Sequence, residues 1–287
     1  IIMAQNSSNN VITFNKKEHL LDSWFQNVRI PEQNDTQPMF QNESDFIDIV
    51  IQETTSILND ILTSLPQDYS FEIYTYSNND EGLGFNVNFD NFNMIGLNVS
   101  SVFLNWELND NNVDNSCIII LLHEVLHGFG ITDSEFLNIN HDYINQFTTD
   151  TGTNRRFYDL SSGLNGYKEF LKYNNLSIDN ISYLPLEDSG GTGTAHSHLE
   201  EGITPANGSL DPVIYNGIVY PSISNEILTG YMSQYTYLTR ITLGILEDLG
   251  FGVNPNVSWL DNNSNILIYS HSPSDFDPEP QPEPEPE

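Results

Sequence analysis

The chain has 287 residues, 38% of them hydrophobic, enough to bury a sizeable core as one large domain or two closely packed lobes. Its 40 acidic residues against 8 basic ones leave a formal charge of −32, which repels nucleic acid and anionic membranes and excludes nucleic acid as a partner. No stretch reaches the roughly 18 to 20 apolar residues of a membrane span, so no membrane insertion is expected, and a single cysteine, Cys117, allows no intrachain disulfide.

In chain order, Val11 to Phe14 reads as a short strand. Asp45 to Leu65 reads as an amphipathic helix, with Phe46, Ile49, Val50, Ile57, Leu58, Ile61 and Leu62 recurring at helical spacing and Pro66 ending it. Phe71 to Tyr76 and Phe85 to Phe89 alternate like half-buried strands, and Met94 to Leu97 and Val102 to Trp106 add further extended segments. An all-apolar run, Cys117 to Leu122, then opens a helix that is expected to be buried, with Asn115 or Ser116 available to cap its first turn.

That helix carries His123-Glu-Val-Leu-His-Gly-Phe-Gly130. Residues four apart lie one turn above each other on the same helical face, so His123 and His127 can aim two imidazoles at one point. Glu124 stands beside that point, where a base that takes a proton from metal-activated water has to be. With 7 histidines in 287 residues, a chance His-Glu-x-x-His is expected in roughly one such sequence in a hundred, so a zinc-bearing helix is the better reading. Gly128 and Gly130 allow a sharp turn after the second histidine. A catalytic zinc needs a third protein ligand, and two places offer one: Asp133, three residues past Gly130, or the downstream segment Gly190-Gly-Thr-Gly-Thr-Ala-His-Ser-His-Leu-Glu-Glu201, which holds His196 and His198. His19, His141 and His271 have no partner at ligand spacing.

Further along, a helix is expected around Tyr167 to Tyr173, and another from Tyr237 to Leu249, with Ile241, Ile245 and Leu249 on one stripe and Gly250 stopping it. From Pro273 the composition turns to alternating Pro and Glu, an extended, self-repelling spacer that could attach the protein to a larger assembly.

The zinc helix, the His198 segment, and the stretch Asn225-Glu-Ile-Leu-Thr-Gly-Tyr231 through Leu238-Thr-Arg-Ile-Thr-Leu-Gly-Ile-Leu-Glu-Asp-Leu-Gly-Phe-Gly-Val253 together resemble the leishmanolysin-like metallopeptidases of the metzincin clan, especially their bacterial-type members. The resemblance spans roughly residues 45 to 255 and is specific in those three blocks. It implies an α+β, metzincin-like zincin fold: a twisted mixed β-sheet with a zinc-binding active-site helix and a smaller C-terminal lobe. It also implies that His198, in Ser197-His198-Leu199, is the third zinc ligand beside His123 and His127, with Glu124 as general base. Leu228 stands where the family turn has Met, Leu199 where it has Trp, and Gly202 to Ser224 is an insertion ahead of the turn.

The expected organisation is residues 1–130 as an N-terminal lobe with the zinc helix, 131–270 as a C-terminal lobe with the third ligand and the turn, and 271–287 as the acidic linker. The expected activity is zinc-dependent endopeptidase hydrolysis of a protein or peptide substrate, in an extracellular or cell-surface protein carrying Asn-x-Ser/Thr glycan acceptors from Asn6 to Asn262. Calcium is a second candidate metal, through the acidic and amide oxygens of Asn109 to Asn115. The competing function is a non-enzymatic, glycosylated surface, adhesion or filament subunit that retains a metalloprotease fold.

Overall fold

The structure is a computed structural model that describes residues 2–5, 10–17, 43–76, 84–88, 92–98, 115–131, 144–187, 197–200, 212–223, 226–230, 235–255 and 266–269. Its first half is organised on a five-stranded sheet. The strands are β1 (Ile2–Gln5), β2 (Val11–Lys16), β4 (Tyr69–Tyr76), β5 (Gly84–Asn88) and β6 (Asn93–Asn98), in the spatial order β1-β2-β4-β6-β5. The β2, β4 and β6 core is parallel, and the two edges, β1 and β5, run antiparallel to their neighbours.

The period-2 pattern read from the sequence sets which face is buried. Phe71, Ile73 and Thr75 alternate with the half-buried Glu72 and Tyr74. On the inner face Phe14 stacks on Phe71 with ring centroids 5.4 Å apart. Two helices cover that face: α1 (Glu43–Ile61) and α2 (Asn115–Gly128). Helix α1 buries Ile47, Val50, Ile51, Thr54, Leu58 and Ile61, the single apolar stripe expected of a helix packed on a sheet. From Cys117 to Leu122 every residue of α2 is buried, as its all-round apolar character requires.

Helix α1 ends four residues earlier than its sequence suggests. Leu62–Ser64 leaves the helix as β3 and pairs antiparallel with β13 (Gly252–Val253), so a partner far along the chain overrides the local helical pattern. A ring cluster marks the same junction: Tyr69 packs on Phe129 (4.8 Å) and Phe251 (5.6 Å), which also meet each other at 4.8 Å.

The second half contains β7 (Ile144–Thr148), β8 (Asn154–Tyr158) and β9 (Leu184–Pro185) in one antiparallel sheet, and a hairpin of β10 (Val213–Tyr215) and β11 (Ile218–Tyr220). It also contains the helices α3 (Ser161–Tyr173) and α4 (Arg240–Asp248), and β12 (Tyr235–Leu238) paired with β14 (Ile266–Tyr269). Tyr237 is thus in a strand rather than in the expected helix. Helix α4 starts after Thr239, whose side chain accepts from the Ile241 amide as a true N-cap.

Helices α3 and α4 cross with their backbones almost touching. A Cβ at Gly166 would fall 2.2 Å from the Arg240 carbonyl oxygen, and one at Gly244 would fall 2.3 Å from that of Ser162. The first turn of α3 has no cap of its own; the Asp248 carboxylate at the end of α4 accepts from the amides of Ser162 and Gly163 instead. Among the described residues no helix is long and apolar enough to cross a membrane. The segment Val102 to Trp106 lies outside the described residues, as do residues 109–114 of the Asn-rich loop and everything after Tyr269.

Candidate metal centre

Helix α2 delivers two histidines and terminates in a way that orients the second. The Ile131 amide donates to the Leu126 carbonyl and the Gly130 amide to that of His127, the paired bonds of a Schellman motif with Gly130 at φ 108°, a conformation that favours glycine. The turn folds Ile131 back over the helix end, where its carbonyl oxygen accepts from His127 Nδ1 at 2.5 Å. His123 Nδ1 donates at the same distance to the carbonyl oxygen of Ile227, 104 residues away. Each carbonyl can only accept, so each ring carries its proton on Nδ1 and presents a bare lone pair at Nε2.

His198 arrives on a short segment, Ser197 to Glu200, held from both sides through bridges of Leu199 to Leu186 and Thr229. The Glu187 amide donates to the His198 carbonyl (2.9 Å), the Leu199 amide donates to that of Leu228 (2.9 Å), and the Glu200 amide donates to that of Pro185 (3.1 Å). Arg155 Nη1 closes a 2.6 Å ion pair on the almost fully buried Glu200 carboxylate, tying the segment to β8. Ser197 Oγ lies 3.1 Å from His198 Nδ1.

The three Nε2 atoms converge. His123 and His127 are 3.0 Å apart, and His198 is 3.1 Å from each. Two nitrogens that share a tetrahedral zinc are separated by about 3.3 Å, so the triangle is close to that set by one common ion. His127 and His198 are buried and His123 half-buried. Burial lowers the proton affinity of His123 and, together with the other two rings, lowers that of His127 well below the ordinary histidine value. The bare lone pairs of His123 and His127, 3.0 Å apart with protonation disfavoured, repel one another unless a cation or a donated proton sits between them. Three imidazoles form a donor set suited to zinc, and among the described residues His123, His127 and His198 form the group that could hold a metal ion. Asp133 and His196, the alternatives for the third position, lie outside the described residues.

Glu124 is buried beside this cluster, and burial pushes its carboxyl up to about 8. Its neighbour is the edge strand β5. A Cβ on Gly84 would lie 2.9 Å from Glu124 Oε1, and Asn86 Nδ2 donates to the Glu124 carbonyl oxygen at 3.1 Å. Neither contact was foreseeable from periodicity. Beneath the cluster runs the turn 226–229, in which Leu228 is fully buried, as expected of an apolar residue at the Met position of the resembling family. Tyr231, just after the turn, lies outside the described residues.

Glu226 opens that turn and is itself buried. Burial pushes its carboxyl up to about 7, against the pull of the hydrogen bonds it accepts from Thr242, Leu228 and Thr239. The folded state therefore holds this proton more tightly than the unfolded chain does. Its contribution to stability is fully present below the ordinary value of 4.5 and is lost as pH rises through about 7, a swing of about 3 kcal/mol. Chemical denaturation of the metal-free protein at pH 5 and pH 8 should show wild type losing more stability over that interval than Glu226→Gln; equal losses would remove the basis for this assignment.

The architecture is mixed α+β, with two helices on one face of a twisted mixed sheet, and is compatible with a metzincin-like fold. No protein-family model matches the chain. It is distantly similar to a protein of Crithidia fasciculata described as a leishmanolysin homolog, 28% identical over 139 residues, a match that covers 48% of this chain and 17% of the relative. The chain thus spans less than a fifth of that relative's length, and the similarity supports a distant leishmanolysin-like relationship.

Proposed function

We propose that the protein is a zinc metalloendopeptidase in which His123, His127 and His198 hold the metal and Glu124 is the general base. The observation that carries the reading is the triangle of three Nε2 atoms 3.0 to 3.1 Å apart, two of them held as bare lone pairs by carbonyls on the far side of their rings, one helical residue away from a buried carboxyl. Zinc at such a site acidifies water and polarises a carbonyl. The chain's own part is played by Glu124, which takes a proton from the attacking water and returns it to the leaving amine. The Ile227 and Ile131 carbonyls keep the two helical rings in the tautomer that binds metal.

A peptide substrate is supported by the sheet edge. Among the described strands β5 pairs only with β6, and its Gly84 lies against Glu124, so an extended peptide added to that edge would pass the base. We read the protein as extracellular or surface-bound, its acidic tail as a spacer, and residues 1–130 and 131–270 as its two lobes.

Metal analysis of the purified chain with casein cleavage tests the proposal: one zinc per chain, cleavage abolished by a zinc chelator and restored by added zinc is the expected result. Zinc binding with no cleavage of any unfolded protein would favour the assembly reading instead. Gly84→Ala probes the base separately. The added methyl has to push the Glu124 carboxyl aside, and a displacement of that order should lower kcat by about tenfold to a hundredfold with zinc content unchanged. An unaltered kcat would show that β5 does not constrain the base.

A further inference from the structure

Glu226 has more hydrogen-bond partners than any turn needs, and they point in two directions. Its Oε1 accepts from the Thr239 amide (3.2 Å), the Thr239 hydroxyl (3.2 Å) and the Thr242 hydroxyl (2.5 Å), all at the start of α4. Its Oε2 accepts from the Leu228 amide (2.6 Å) inside the turn itself. Thr239 accepts from Ile241 as the α4 N-cap, so its hydroxyl proton is directed to Glu226. The turn is closed by the amide and hydroxyl of Thr229 on the Glu226 carbonyl oxygen, and is fastened to β12 by the Ile227 amide on the Tyr237 carbonyl.

The next atoms outward belong to the metal centre. The Ile227 carbonyl accepts from the His123 ring, and the Leu228 carbonyl accepts from the amide of Leu199, the residue after His198. The ring of one ligand residue, on α2, and the backbone next to another, on the Ser197 to Glu200 segment, are thus held by consecutive carbonyls of a turn that one carboxyl group joins to α4.

We propose that Glu226 is a positioning residue for the metal centre, anchoring the turn to α4 so that the Ile227 and Leu228 carbonyls fix the His123 ring and the His198 backbone at ligand spacing. The inference rests on the zinc reading above. A neutral amide at this position keeps the volume but turns an NH2 group toward at least one of the donors now satisfied, so the turn has to shift. Loss of such an indirect partner typically weakens metal binding by about 10- to 100-fold.

The test uses the full chain as wild type, Glu226→Gln and Thr242→Val, with Leu171→Ala on α3 as a variant destabilised by loss of buried volume. Zinc Kd is measured by competition with a chromophoric chelator well below each Tm, and the visible spectrum of the Co2+-loaded protein is recorded. The expected result is a Kd raised 10- to 100-fold in Glu226→Gln, raised in the same direction but less in Thr242→Val, with altered cobalt bands in both and neither change in Leu171→Ala. Wild-type Kd and cobalt bands in the folded Glu226 and Thr242 variants, whatever their Tm, would reduce Glu226 to a stabilising role and overturn the proposal. Should Glu226→Gln fail to fold, Thr242→Val decides alone. A wild-type chain that binds neither zinc nor cobalt would instead defeat the zinc reading itself.

Discussion

Replacing His198 by alanine should abolish casein cleavage and weaken zinc binding by more than about a hundredfold, the upper end of what losing a mere hydrogen-bond partner of a ligand costs. The argument is geometric. His123 and His127 lie on one helical turn and supply one edge of the triangle; the remaining two edges, 3.1 Å each, exist only through His198. A pair of imidazoles leaves zinc with two protein ligands, fewer than a catalytic site uses. The fold should survive, because the segment is held by backbone bonds at Glu187, Leu228 and Pro185 and by the Arg155 ion pair rather than by the ring. Zinc titration of His198→Ala beside His196→Ala and Asp133→Ala makes the comparison: the last two should retain near wild-type Kd. Loss of zinc in either of them, with retention in His198→Ala, would transfer the third position and require a different arrangement of the centre.

Glu124→Gln should lower kcat by about 10²- to 10⁴-fold, the usual worth of a positioned proton acceptor, while zinc stoichiometry stays at the wild-type value. Glutamine keeps the volume that fits against Gly84, so packing is conserved and the lost function is proton transfer alone. Km should change little, since the group acts on water rather than on the bound peptide. Full activity in this variant, checked by single-turnover cleavage of a fluorogenic peptide, would eliminate the general-base role. A fall in zinc content parallel to the fall in rate would show that the carboxylate holds metal instead of moving a proton.

The candidate metal centre was legible where it depends on local geometry. Four-residue spacing on a helix is a strong constraint, and the glycine at 130 that turns Ile131 back toward His127 could be read directly. The meeting of His198 with that helix followed only from a family resemblance, because two positions 71 residues apart leave no periodic trace. Gly84 and Asn86 were invisible for the same reason: their meaning is the closeness of β5 to α2, and nothing in an alternating strand announces it.

Pairing with distant partners also explains the misplaced boundaries. Leu62 to Ser64 continues the apolar stripe of α1 yet is taken by β13, and Tyr237 precedes α4 at helical spacing yet pairs with Leu267 in β14. The β10–β11 hairpin, by contrast, was announced by Asn216-Gly217. Both residues adopt positive φ, 52° and 72°, as a two-residue hairpin turn demands, so part of the Gly202 to Ser224 insertion is regular structure.

The β3–β13 junction has a consequence for how the protein is made. Asn254 Nδ2 bonds the carbonyl oxygen of Asp60, 194 residues earlier, and the Phe251 ring completes the cluster begun by Tyr69. A ribosome adding about 5 to 20 residues per second must work for roughly 10 to 40 s after the first of these partners emerges before the last exists. His198 follows His127 by 71 residues, so the nascent chain carries two of the three imidazoles for roughly 4 to 14 s before the third is added, and the candidate metal centre can close only after that.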